Sequence, residues 1–234
     1  NLLVTEEFAL KNTAPEGCTM IVVDNITSAL AINSIADNTD SEYSLLYTKS
    51  LPLTIGLYGI RRMLRVAAET NAGMVYSDHY SVENGLTVNH PVIDYQKGSL
   101  RDDFDFGSLL LIKSKLIKDY AAENDNSDFK YAALYDLRLF VSRQAAIFHI
   151  NEYLYTEEEN DTRTSGEKQF DYVNPRNRNV QLEMESAVTK HLKEVGAFVD
   201  TAYYDTPDFK EQDFDCEASV IIPVRNREKT ICNA

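Results

Sequence analysis

The chain has 234 residues, of which 44% are hydrophobic and 26% charged, so it can build the core of one large domain and is not a disordered chain. Lys and Arg number 23 against 37 Asp and Glu, a formal net charge of −14. A surface of that sign repels phosphate backbones and anionic lipid, which excludes nucleic-acid binding and a basic membrane patch as leading readings. Cys18, Cys216 and Cys232 are too scattered for a disulfide framework or a zinc knuckle, and read as reduced residues of a cytoplasmic protein. No apolar run approaches the length of a transmembrane helix, and no charged-then-apolar leader opens the chain.

In chain order, residues 1–7 (NLLVTEE) predict a buried strand, and the reversal at Pro15 to Gly17 leads to a second strand at 18–23 (CTMIVV). The nearly unbroken apolarity of that strand predicts cover on both faces, as in a parallel sheet. Thr27 or Ser28 caps a helix over 29–36, and 42–47 (EYSLLY) forms a third strand. Residues 54–69 predict a helix with Leu57, Ile60, Leu64 and Ala67 inward and Arg61, Arg62, Arg65 and Glu69 elsewhere. Residues 73–77 (GMVYS) return as a strand ending at Asp78. This alternation predicts an α/β fold with a mostly parallel central sheet flanked by helices.

Further on, Glu83-Asn84-Gly85 marks a turn, followed by a polar stretch to His90 and Pro91. Residues 108–112 (SLLLI) predict a buried strand, 114–122 a short helix, and 132–142 a helix with Leu134, Leu137 and Val141 inward. Residues 146–155 alternate like a strand with one exposed face, and 157–168 read as a polar loop in which Glu157, Glu158 and Glu159 are solvated. A helix over 180–195 carries Val180, Met184, Val188 and Val195 on one stripe, capped by Asn179 and stopped at Gly196. Residues 206–217 are acidic, poor in aliphatics, and read as a linker.

Two stretches carry a family resemblance. The string ASVIIPVRNREKTI (218–231) is an apolar strand that ends at Pro223, passes Arg225 and reaches Asn226, which opens a helix. It resembles the first strand and helix entry of family 2 glycosyltransferases, where the helix N-terminus can face a nucleotide. Within residues 1–155, the strings from Asp24 to Ala36, EYSLLY (42–47), MVYSD (74–78), GSLRDDFDFG (98–107) and YDL (135–137) are similar to that family's GT-A type domain. The resemblance implies a nucleotide-sugar donor held with Mn or Mg, and a glycan acceptor.

The chain departs from the family at the chemistry. Tyr47-Thr48-Lys49-Ser50 stands where the family places an Asp-x-Asp pair, and it offers no carboxylate cage for a divalent ion. Ala133-Leu134 replaces the acidic pair that supplies the general base, and the fold's first strand and helix are expected to be absent ahead of Asn1. These losses predict a degenerate glycosyltransferase-like domain over 1–205, a linker over 206–217, and the start of a second, catalytic domain over 218–234. Alternatively, residues 219–224 complete the first sheet, in cis or by exchange within a homodimer. The parent protein is then an enzyme and this piece inactive alone; the rival reading is a non-enzymatic scaffold that binds a glycan or partner.

The candidate residues follow from these positions. Asp78, at the carboxyl edge of the sheet, is either a metal or nucleotide contact or a turn cap. Lys49 is left to neutralise a phosphate, and Asp24, Arg225 and Asn226 lie on stretches that match the donor-side pattern. Asp102, Asp103 and Asp105 around Arg101 supply either a substitute base, with Asp103 foremost, and acceptor contacts, or a solvated acidic turn. Asp136 is either a catalyst or a partner for Arg138 or Arg143. Glu6 is either a nucleoside contact or a surface turn. His79, His90, His149 and His191 show no ligand spacing, and only His79, beside Asp78, is a candidate ligand.

Overall fold

The computed structural model describes residues 1–49, 51–83, 85–123, 129–158, 178–205 and 218. The predicted tail strand, Arg225 and Asn226 lie outside the described residues, as does the whole of the predicted linker over 206–217. The chain divides into a unit spanning Asn1–Phe198 and a unit spanning Val199–Ala234. In the second unit the described part holds a short 3-10 turn, Thr201–Tyr203.

In the first unit, β1 (Leu2–Val4) is followed by α1 (Glu6–Lys11), capped by the Thr5 hydroxyl, and then by β2 (Met20–Val22). β1 and β2 pair in parallel as a sheet of their own. Val22 is 53% exposed, so the two-faced cover expected of this strand is not realised. Apolar β-branched residues favour a strand here without a second layer to bury them. The expected strand over 1–7 stops at Val4, because Thr5 supplies an N-cap and Glu6 and Glu7 suit the first turn of a helix.

The main sheet contains β3 (Tyr43–Tyr47), β4 (Leu53–Ile55), β5 (Met74–Glu83), β6 (Leu86–His90), β7 (Leu109–Lys113) and β8 (Ile147–Glu158). Its order is β3-β7-β5-β8-β4, with β6 paired to β5 as a hairpin. Among the described residues of this sheet only β5 and β8 are parallel neighbours; the β3–β7, β5–β7, β5–β6 and β4–β8 pairings are antiparallel. The fold is α/β as expected, but the sheet is mixed rather than mostly parallel. Unbroken apolarity from Leu109 to Ile112 in β7 reports burial on both faces, and an antiparallel strand between two helical layers meets that condition equally well.

Those layers explain the pattern. Leu110 and Ile112 of β7 join Met74 and Tyr76 under α2 (Ala29–Asp37), α4 (Ser114–Ala122) and α5 (Ala133–Gln144). Leu109 and Leu111 point the other way, with Val75, Ile150, Leu154 and Tyr155, against α3 (Gly59–Thr70). α2 takes Ser28 as its cap, the hydroxyl accepting from the Ala31 N–H at 3.2 Å. α6 (Arg178–Glu194) packs Ala187 and Met184 against Tyr135 and Leu139 of α5.

α3 differs from its expected phase. Met63, Val66 and Ala67 face the sheet, while Leu57 is 88% exposed and lies ahead of the helix. The start is delayed because β4 occupies residues 53–55, and the helix begins only once the chain turns back at Gly56. That shifts which apolar set of a dense pattern faces inward.

A charged seam ties α6 to the rest. The Glu183 carboxylate accepts from the backbone N–H groups of Lys130, Tyr131 and Ala132, and so caps the amino end of α5. Arg143 meets Glu194 at 2.6 Å, and Lys190 lies 3.9 Å from Asp136. Asp136 is buried; Tyr120 donates to its Oδ2 at 3.1 Å, and its Oδ1 has no partner. Burial raises the Asp136 carboxyl above its ordinary value. A raised carboxyl adds stability below the unfolded pKa and loses it as pH rises through the folded one. Asp136→Asn is therefore expected to stabilise the protein at pH 7 by about 1 kcal/mol. Thermal melts should show the gain at neutral pH and its disappearance in acid.

Candidate functional site

β3, β5 and β8 run in one direction, and the start of β7 meets their carboxyl ends. At that edge the chain sets down Thr48 and Lys49 after β3, Gly107 and Ser108 before β7, and Tyr155 and Glu157 near the end of β8. Open α/β sheets present their ligand sites at this edge. The pairing of β5 with β8 slips between Ser77 and His79: Ser77 faces Ile150, Asp78 faces Tyr153 and His79 faces Tyr155. A bulge of this kind re-aims neighbouring side chains, and Ser77, Asp78 and His79 are all buried.

Glu157 is the centre of a buried polar network. Lys49 and the Ser108 hydroxyl both donate to its carboxylate, and His79 Nε2 lies 3.3 Å from its Oε1. Burial pushes the Glu157 carboxyl up, but the hydrogen bonds from His79, Lys49 and Ser108 outweigh it and hold it at about 2. The expected solvated loop at 157–159 is therefore corrected for Glu157, which is only 3% exposed inside β8. Tyr155, His79 and His90 form a ring stack, with centroids 4.9 Å and 4.4 Å apart. Burial pushes the Tyr155 hydroxyl up to about 12, and this oxygen accepts the Ser108 N–H at 2.9 Å.

A second network sits at Asp78. Its Oδ1 accepts the Val92 N–H and faces His149 Nε2, each at 2.9 Å, and His149 Nδ1 faces Asp94 at 2.7 Å. Asp78 thus fastens the segment after β6 to the sheet. The metal implied by the family resemblance does not fit here: Oδ1 is already engaged, and among the described residues no three His, Cys, Asp or Glu side chains are grouped to hold an ion. Lys49, where the family keeps carboxylates, is paired with Glu157.

Beside these networks lies a cleft of about 550 Å³, lined in part by Thr48, Asp102, Phe104, Asp105, Tyr135 and Arg138. Its wall, the 99–107 segment, is held by α5. Arg138 donates to the carbonyls of Ser99 and Arg101 at 2.8 and 2.6 Å and lies over the Tyr135, Tyr95 and Phe106 rings, while Tyr135 donates to Leu100 O at 2.5 Å. Phe104 and Phe106 pack on each other and on Tyr76.

The candidate residues divide accordingly. Asp102, Asp103 and Asp105 all line the cleft. Asp103 is engaged by the Arg101 fork at 2.9 and 2.8 Å, whose hydrogen bonds hold its carboxyl below the usual range. Asp105 accepts the Gly107 N–H and meets His90 Nε2, both at 2.8 Å. Lys49 and Asp78 stand in the networks behind the cleft. Asp136 lies on the α4–α6 side of α5, outside the cleft lining, beside Lys190 and Tyr120. Glu6 is exposed on α1 and Asp24 is exposed after β2; neither lines the cleft.

Sequence reasoning missed the partnership of His79, His90 and Glu157. One signal was present: His79 and His90 are equidistant from the turn between Glu83 and Leu86, and hairpin register places them opposite each other.

No family model matches the sequence, and no curated protein matches it. Among solved structures the chain is similar to the bifunctional IspDF from Campylobacter jejuni, with 12% sequence identity and a TM-score of 0.33. The match covers 59% of this chain and 33% of that one, so this chain spans about a third of that protein's length. A likeness at that level carries no argument about activity. Among the described residues, no helix is long and apolar enough to cross a membrane.

Proposed function

We propose that this chain is a glycosyltransferase-like module that holds a glycan in the cleft between the 99–107 segment and α5, as a catalytically degenerate part of a nucleotide-sugar glycosyltransferase. The family kinship rests on the sequence resemblance at 218–231 and within 1–155. The observation that carries the glycan reading is the composition of the cleft: Phe104, Phe106, Tyr131 and Tyr135 beside Asp102 and Asp105. Aromatic faces suit the C–H faces of a pyranose, and carboxylates accept its hydroxyls.

The charges argue against a donor diphosphate in the same place. Arg138 is committed to backbone carbonyls, Arg101 to Asp103, and Lys49 to Glu157, so no cation among these is spare for phosphate. Three carboxylates line the same cleft. A hydroxylated neutral ligand meets no such repulsion.

Titration by NMR with maltotetraose, cellotetraose and chitotetraose, and separately with UDP- and GDP-sugars with and without Mn²⁺, tests this reading. The expected result is binding of at least one oligosaccharide, weakened about tenfold by Phe104→Ala, and no Mn²⁺-dependent binding of a nucleotide-sugar. Mn²⁺-dependent donor binding without oligosaccharide binding would establish a donor site and overturn it.

A further inference from the structure

Charge in the cleft is unevenly compensated. Asp102, Asp103 and Asp105 line it, and among the described residues Arg138 is the one cation of the lining. The Arg138 guanidinium is committed to the Ser99 and Arg101 carbonyls, which it meets at 2.8 and 2.6 Å. Asp103 is neutralised by the Arg101 fork, and Asp105 is engaged by His90 Nε2. Asp102 stands apart. It is exposed at the cleft, and among the described residues no Lys, Arg or His makes an ion pair with it.

The aromatic wall points to the same sign of ligand charge by a separate route. Arg138 lies over the Tyr135, Phe106 and Tyr95 rings, at 4.8, 5.8 and 5.7 Å from their centroids. Ring faces attract a cation through their quadrupole, so this wall already holds positive charge. Phe104 and Tyr131 line the same cleft, and among the described residues no cation lies over either ring. An unpaired carboxylate beside two such rings, in a cleft of about 550 Å³, favours an ammonium group over a neutral one.

We propose that the glycan of this cleft carries free amino groups, and that Asp102 selects them by pairing with a sugar ammonium beside the Phe104 and Tyr131 rings. This inference rests on the glycan reading of the cleft and narrows it to amino sugars. Exposure sets the magnitude: a solvent-facing ion pair gives a preference of about fivefold, and salt screens it. The net charge of −14 draws any cation toward the surface without choosing among them, so a true preference belongs to the cleft and not to the chain as a whole.

The test uses the whole chain and two ligands of one backbone, chitotetraose and its deacetylated form, chitosan tetraose. At roughly pH 6, where the amines are protonated, NMR titration in dilute buffer should give about fivefold tighter binding of the amine form. In about 0.5 M salt the two affinities should converge. Asp102→Asn should remove most of the preference; Asp102 is exposed and unpaired, so the variant changes charge and not fold. Asp24→Asn makes the same change of net charge at a residue that does not line the cleft, and should leave the preference in place. Equimolar spermine, a cation without a sugar ring to stack, should not displace the amine form. Binding of the amine form no tighter than that of chitotetraose would overturn the assignment and leave glycan binding standing. So would a preference that survives Asp102→Asn or salt, one that Asp24→Asn also removes, or displacement by spermine. If neither of these tetramers binds, and maltotetraose and cellotetraose also fail, the glycan reading and this inference fall together.

Discussion

Replacing Glu157 with alanine is expected to destabilise the protein by about 3–5 kcal/mol, because it breaks a buried ion pair from the inner side. The Lys49 ammonium, the Ser108 hydroxyl and His79 Nε2 all lose their acceptor at once. Ser108 and His79 are too deeply buried for water to replace it. Lys49→Ala should cost much less, about 1 kcal/mol, since its side chain is 40% exposed and the carboxylate keeps its other donors. Urea unfolding measures both; a drop in midpoint at constant slope isolates stability from changes in compactness. Equal losses in the two variants would mean that the network is no more than a surface pair.

The same residue sets an acid limb. The folded Glu157 carboxyl stands at about 2 against an ordinary 4.5. A depressed carboxyl contributes stability that is complete above the unfolded pKa and is lost as pH falls through the folded one. The contribution is about 3 kcal/mol, from the shift between those values. Stability should therefore decline between roughly pH 4.5 and 2, and Glu157→Gln should flatten that decline. Asp136 acts in the opposite sense, since burial raises its carboxyl and acid relieves it. Removing that carboxyl in Asp136→Asn should steepen the acid limb that Glu157→Gln flattens, and the opposed slopes separate the two sites.

The contrast between these carboxylates explains what the sequence disclosed. The alternation of β-rich apolar runs with helical patterns was legible because helices cover both faces of the main sheet, and β7 is apolar from Leu109 to Ile112 for that reason. Strand direction was not legible, since burial leaves the same trace in either direction. The phase of α3 was lost because Leu57, Ile60, Met63, Leu64 and Val66 crowd one segment, and β4 shifts the helix start. At the site, Asp78 and the 102–105 acids stood out by position. Glu157 was hidden within three consecutive glutamates, a pattern typical of solvated turns, and its burial depends on strand β8 running three residues further than its alternation indicated. His79 and His90 were separable from unrelated histidines only by hairpin arithmetic.

Gly107→Ala is expected to be the other large loss, about 2–5 kcal/mol, and it arises from two separable sources. Its φ of +68° adds a strain of about 1–2 kcal/mol for an L side chain. The new methyl would also stand 2.2 Å from the Tyr155 hydroxyl oxygen, an overpacking that costs about 1–3 kcal/mol. That oxygen cannot retreat freely, because it accepts the Ser108 N–H and its ring stacks on His79. A cycle with Tyr155→Phe divides the sources: removing the hydroxyl relieves the clash and leaves the backbone strain. The double variant should be more stable than the sum of the single losses by at least about 1 kcal/mol, the coupling expected of groups in contact. Strict additivity would place the whole cost in the backbone, and position 107 would then owe its glycine to the turn alone. A coupling of the expected sign would show that the missing side chain is what lets Tyr155, His79 and the cleft wall come together.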